Sequence, residues 1–320
     1  MDISREEFYI CSEPAPLRLH TAIIAPKDCQ PSACLQIVHG MSEHKERYYP
    51  FMEYLAEKGF ACIINDVRGH GKSVISPDDL GDMYDLPDER AVSDIYRINS
   101  YIREKYPDIP HFLLAHSMGS LSARCFLQNG NELVDGVILS GCPCYSKFSS
   151  FVRMVESGLE STLGHDFRSR GICSLSDSFL NVKFRESPHS WICSDPMVVM
   201  RFRNDPLCNF DYALSGYEAL LKLMKSTYSE EEWKKGHIKN KELPIHFISG
   251  KDDPCMFSEN KFFEAVRFLE HQGFPNVSHK LYKDMRHEVL NERNKAVVWH
   301  DTAEKLISWK NNGKDKNYGN

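Results

Sequence analysis

The chain has 320 residues, 42% of them hydrophobic and 26% charged, with a net charge of −6. That length and composition suffice for a substantial apolar core, in one large domain or two small ones. The negative balance gives no reason to expect nucleic-acid binding, which shows as a basic patch, and no apolar run approaches the length of a membrane span.

The opening Met1-Asp-Ile-Ser-Arg-Glu-Glu7 is acidic and polar, so no secretory signal is expected. Phe8 to Cys11 and Leu17 to Pro26 read as a hairpin bent at Pro14-Ala-Pro16. Apolar runs near 35–40, 61–67, 112–117, 136–141, 244–250 and 279–284 then read as strands. They alternate with helical stretches near 48–58, 89–105, 119–129, 258–271 and 293–310. This alternation predicts an α/β fold with a mostly parallel central sheet flanked by helices. No internal repeat interrupts it, and the polar residues from 311 onward are expected to fray. Eleven cysteines at irregular spacing suit a reducing compartment better than a disulfide framework, and the cytoplasm is the expected location.

Between the sixth strand and Pro244 lie roughly a hundred residues, far more than a simple connection needs. The expected division is a core over 1–142, a helical cap inserted over 143–238, a second core segment over 239–312 and a polar tail over 313–320. Phe148, Phe151, Val152, Val155 and Leu159 recur at three- and four-residue steps, the pattern of an amphipathic helix. Such a face packs on the body, lines an acyl pocket or rests transiently on a membrane surface, and these readings are compatible. Residues 187–193 and 205–210 read as cap loops leading to a helix from Leu214 to Met224.

The run from His111 to Ser120 carries the chemistry. A short strand enters Ala115-His-Ser-Met-Gly119, a small-x-Ser-x-Gly turn, and a helix follows at once. A serine hydroxyl is a weak nucleophile unless it is held clear of the backbone beside a base, with donors waiting for the oxyanion. A sharp strand-to-helix turn supplies that exposure and one donor. Further strands end in His39-Gly40, in Asp66-Val-Arg-Gly-His-Gly-Lys-Ser73, in Lys251-Asp-Asp253 and, through a loop, in Arg286-His-Glu288. The order serine, acid, histidine, each after a strand, is that of a nucleophile-elbow hydrolase. His287 lies in a post-strand loop, whereas His279 starts a strand and His300 falls in a helix. Asp252 competes with Asp253 for the role of the acid.

In His39-Gly-Met-Ser-Glu-His44, Asp66 to Ser73, Ala115 to Gly119, Gly250 to Asp253 and Arg286 to Glu288 the chain resembles the α/β-hydrolase-fold serine hydrolases. The similarity is to the branch of monoacylglycerol lipases and bacterial lysophospholipases, and it spans about Leu35 to Trp309 with a variable middle. Ala115 and Ser120 stand where that branch commonly has glycines. The resemblance implies Ser117 as nucleophile, Asp253 as orienting acid and His287 as base, with the amides of Met41 and Met118 as the oxyanion hole. His39, Gly40, His116, Phe148 and Phe151 are candidate pocket residues, the two histidines more as hydrogen-bonding groups than as bases. The implied activity is hydrolysis of a carboxylic ester or lipid, of lysophospholipase or monoacylglycerol lipase type, with no cofactor. Fourteen histidines without a close ligand cluster, and Cys142-Pro-Cys144 too tight for a zinc knuckle, give no metal site. Short-chain or aromatic ester, thioester, amide and carbon–carbon cleavage remain open on the same site, as does a catalytically silent binding module. Oligomeric state is not legible in these residues.

Overall fold

A computed structural model describes residues 2–145 and 163–317. Eight strands form one sheet: β1 (Ile3–Cys11), β2 (Arg18–Pro26), β3 (Ala33–Val38), β4 (Phe60–Asn65), β5 (His111–His116), β6 (Gly136–Ser140), β7 (Ile245–Gly250) and β8 (Val277–Tyr282). Their order across the sheet is β1-β2-β4-β3-β5-β6-β7-β8. β1 pairs antiparallel with β2, and β2 antiparallel with β4. All the pairings from β4 to β8 are parallel. Every residue of β3, β4, β5, β6 and β7 is buried, because helices cover both faces and each strand can therefore be apolar throughout.

The helices are α1 (Tyr49–Ala56), α2 (Pro87–Lys105), α3 (Met118–Gly130), α4 (Arg170–Leu180), α5 (Pro196–Asn204), α6 (Leu214–Thr227), α7 (Glu230–Lys235), α8 (Glu259–His271) and α9 (Lys295–Asn317). Alternation along the strands divides the core in two. Leu113, Ala115, Val137, Leu139 and Phe247 pack with Leu121 and Phe126 of α3, Leu223 of α6 and Phe262 of α8. Phe112, Leu114, Ile138 and Ile248 face the other way, onto Phe51 and Leu55 of α1 and Leu306 of α9. The chain between β6 and β7 thus contributes α6, and Trp233 of α7, to the main core. Its earlier helix α4 has no buried residue.

β1 begins at Ile3, well before the hairpin expected from Phe8. Most of its side chains are exposed, so nine residues of pairing with β2 leave no apolar alternation to read. α9 continues to Asn317, into the polar stretch from 311 that is expected to fray; a helix extends by one hydrogen bond per added residue without needing an apolar face. The apolar stripe from Phe148 to Leu159, including the pocket candidates Phe148 and Phe151, lies outside the described residues.

Register determines what meets at the edge of the sheet. Val38 pairs with Ala115, so His39-Gly40 leaves β3 beside His116-Ser117 at the end of β5. Gly250 pairs with Tyr282, so the loops carrying Asp253 and His287 leave neighbouring strands at one level. An open α/β sheet places its site in this crevice, outside the carboxyl ends of the strands.

Candidate active site

Ser117 occupies a left-sided backbone conformation, φ 52° and ψ −121°, between β5 and α3. That is a strained position for a residue with a Cβ, of the kind a sharp elbow imposes. The turn is held by Ser117 N donating to Ser140 O at 2.9 Å, and by Ser120, whose N and Oγ both donate to Ser117 O, at 2.9 and 2.6 Å. Ser120 therefore adds a hydroxyl clamp at a position where a glycine is common. Ala115 is fully buried within the β5 ladder.

Two glycines allow the close approach. A Cβ on Gly119 would lie 2.5 Å from His39 O and 2.6 Å from Val38 O, so α3 starts directly against the end of β3. A Cβ on Gly40 would lie 3.0 Å from Ser117 Cβ and 3.2 Å from the His116 ring. Met41 follows Gly40 and Met118 follows Ser117, and neither amide donates a hydrogen bond to any described residue. Two unengaged N–H groups beside a serine are what an oxyanion hole requires.

Asp253 is buried at the N-cap of the short turn Pro254–Met256. Its carboxylate accepts hydrogen bonds from Ser249 Oγ at 2.7 Å and Cys255 N at 2.9 Å, and both of its oxygens lie 3.0 Å from His287 Nδ1. Asp252, its sequence rival, is exposed. Burial alone would raise the Asp253 carboxyl, but the adjacent imidazole and these donors outweigh it and hold it below the usual range. Burial likewise opposes charge on His287, yet the Asp253 carboxylate raises this imidazole well above its ordinary value. An Nδ1–H engaged by the carboxylate leaves Nε2 free to act as a base. The His287 ring lies 4.7 Å, centroid to centroid, from the ring of His116, the residue preceding the serine. Among the described residues Ser117 Oγ makes no hydrogen bond to His287; such contacts commonly tighten only once substrate is bound.

His39 is fully buried, its Nε2 accepting from Val67 N at 2.8 Å and its Nδ1 2.8 Å from Gly40 O. Burial holds it below its ordinary value, and the ring is a neutral brace under the Gly40 turn. His116 is lowered to about 4, by burial first and then by His287. His279 lies in β8 and His300 in α9, as expected.

Sequence reasoning missed the buried ion network beside the site. Glu43 Oε1 accepts from Gly40 N at 2.6 Å and from Tyr48 Oη at 2.9 Å, while Arg47 bridges Glu43 and Glu288. Glu43 and Glu288 fall inside the motifs that flag the site, but nothing in their spacing reveals the pairing. Among the described residues two groups of ligand-type side chains also gather within 4.8 Å: His44, Asp205 and Cys208, and Asp253, Cys255 and His287. Both offer the nitrogen, oxygen and sulfur donors that zinc accepts. The first is already closed by His44 Nε2 against Asp205 Oδ2 at 3.0 Å, and the second is the acid–histidine pair with a thiol beside it.

The family described as serine aminopeptidase, S33 matches residues 29–294. The chain belongs to this family. It is a serine hydrolase of the α/β-hydrolase fold, of the lipase and esterase type. It is similar to phospholipase YtpA of Bacillus subtilis, 23% identical over 84% of this chain and 93% of that protein. It is also similar to a monoacylglycerol lipase of Mycolicibacterium smegmatis, 22% identical over 88% of this chain and 90% of that one. A carboxyl esterase from Bacillus coagulans, crystallised in complex with glycerol, superposes with a TM-score of 0.85 at 26% identity, covering 97% of this chain and 98% of that one. Among the described residues no helix of this chain is long and apolar enough to cross a membrane.

Proposed function

We propose that the chain hydrolyses single-acyl lipid esters, monoacylglycerols or lysophospholipids, through an acyl-serine intermediate on Ser117. The observation that carries this reading is the buried Asp253–His287 pair beside a serine in a strained elbow. His287 Nε2 takes the Ser117 proton as Oγ attacks the ester carbonyl, and the Met41 and Met118 amides meet the oxyanion. Collapse expels the alcohol with the proton returned by His287; water, deprotonated by the same base, then releases the acid. Asp253 holds the imidazole tautomer throughout. Each oxyanion donor is worth on the order of 10²–10³ in rate. No step calls for a cofactor.

The lipid preference is supported by the names of the relatives and by the surface of the inserted segment, where Leu175 is 73% and Phe179 49% exposed. Those side chains suit transient contact with a lipid surface. All eleven cysteines are free, which supports a reducing compartment such as the cytoplasm. The second reading is a short-chain carboxylesterase, favoured by the likeness to the Bacillus coagulans enzyme. A series of monoacylglycerols, lysophospholipids and short p-nitrophenyl esters tests the choice. Highest kcat/KM on the long single-acyl lipids is expected; a preference for acetate or butyrate esters sinks the lipid assignment while leaving the triad standing.

A further inference from the structure

Among the described residues, the inserted segment meets His287 through the indole of Trp191. The Trp191 ring lies 5.1 Å from the His287 ring at 47°, and its position is fixed from two directions. From α4, Asp177 Oδ1 accepts the Trp191 Nε1 proton at 2.8 Å and sits 2.6 Å from His189 Nδ1. His189 takes a left-handed φ of 61° as the chain turns back toward Asp177. Asn181, just beyond α4, accepts Trp191 N at 3.0 Å. From the histidine loop, Glu288 N donates to Ile192 O at 2.8 Å and Arg286 Nη1 to Ser190 O at 2.6 Å. A tryptophan needs only one acceptor to be satisfied. Here that acceptor belongs to the helix with no buried residue, and the chain on either side of the indole is fastened to the loop that carries the base.

We propose that Trp191 is a positioning residue for the hydrolytic reaction, holding the plane of His287, and that Asp177 sets Trp191, so that the placement of α4 is felt at the base. This rests on the triad reading above and specifies how the inserted segment takes part in it. An aromatic face against an imidazolium stabilises its charge, and the ring keeps water from weakening the Asp253 attraction. Among the described residues the other groups facing His287 are Asp253, Cys255 and His116, and the neighbouring Glu288 is held by Arg47. Asp253 is lowered, Cys255 raised and His116 lowered to about 4, which leaves the imidazole of His287 as the group to follow.

The test uses the full chain with Trp191→Ala, Trp191→Phe and Asp177→Ala, each checked for folding by circular dichroism and thermal melting. The readouts are kcat, KM and the pH profile of kcat/KM on a water-soluble p-nitrophenyl ester, which keeps lipid-surface effects out. A small misplacement of a reacting group can cost up to 10²-fold, so Trp191→Ala is expected to lower kcat by roughly tenfold or more. KM should change little, and the ascending limb should move to lower pH because water weakens the pairing with Asp253. Trp191→Phe keeps an aromatic ring but loses the hydrogen bond to Asp177, so it should recover part of the rate; Asp177→Ala, which removes the acceptor of the indole N–H, should reproduce a smaller shift, which carries the test should Trp191→Ala fail to fold. A limb that stays in place or moves to higher pH, or a Trp191→Phe protein no more active than Trp191→Ala, overturns the role of Trp191 while an inactive His287→Ala protein keeps the triad. Full turnover by a folded His287→Ala protein overturns both.

Discussion

Arg47 donates two hydrogen bonds to Glu288, at 2.7 and 2.5 Å, across 241 residues of sequence. Its Nη1 also reaches Glu43 at 2.9 Å, and Glu43 holds the amide of Gly40. One guanidinium therefore joins the turn carrying Met41 to the loop carrying His287. Its planar fork allows both contacts at once, which a lysine could not match. Removing one partner from a buried ion network leaves the others uncompensated, at about 3–5 kcal/mol. Arg47→Met is expected to lose stability on that scale in urea unfolding and to reduce kcat on any ester. A variant as stable as the parent would show that the network is not structural.

The pH profile follows from the charge state that the reaction needs. A general base must be neutral, and Asp253 raises His287 well above the ordinary imidazole value. Activity should therefore be low in acid and rise only at pH above that ordinary value. Asp253→Asn removes the carboxylate, so the rise should move to lower pH, while kcat falls on the order of 10⁴ as the tautomer is lost. The kcat/KM profile of both proteins checks the sign; an unmoved rise contradicts the pairing.

Acid stability has a source in the same ion network. Burial would raise the Glu43 carboxyl, but Arg47 foremost, then His116 and His39, hold it at about 2 against an ordinary 4.5. A carboxylate depressed by folding stabilises the native state above its unfolded value, and the contribution is lost as pH falls through the folded one. Stability should thus decline from about pH 4.5 down to about pH 2. Chemical unfolding across this window should show a shallower decline for Glu43→Gln; identical slopes would remove Glu43 from the account.

Gly119 offers a steric test. A methyl there would meet backbone oxygens at 2.5 and 2.6 Å, atoms that cannot move without displacing β3. Overpacking of this kind costs about 1–3 kcal/mol. Gly119→Ala should lose that much stability and should weaken catalysis further by parting Met41 from Ser117. Thermal melting together with kcat measures both, and wild-type values in each would mean that the elbow has room to spare.

Much of this architecture was legible because its signals are local. β3, β5 and β7 are buried on both faces and so read as mainly apolar runs, and Ser117 announces itself through the small residues its turn requires. β1 escaped in part because its side chains face solvent, and α9 outran its apolar pattern. Asp252 and Asp253 are neighbours of one type, and only burial against His287 separates them. The Arg47–Glu288 and Trp191–His287 contacts depend on the folded path of loops. No periodicity encodes that path, since each partner is an ordinary polar or aromatic residue in its own segment.

The central claim is that the hydroxyl of Ser117 is the nucleophile. Incubation of the full chain with a fluorophosphonate, followed by peptide mapping, addresses it directly. The expected result is one adduct per chain, on Ser117, with ester hydrolysis lost in proportion and neither labelling nor turnover in a folded Ser117→Ala protein. Labelling at another serine, or hydrolysis persisting in Ser117→Ala, would contradict it.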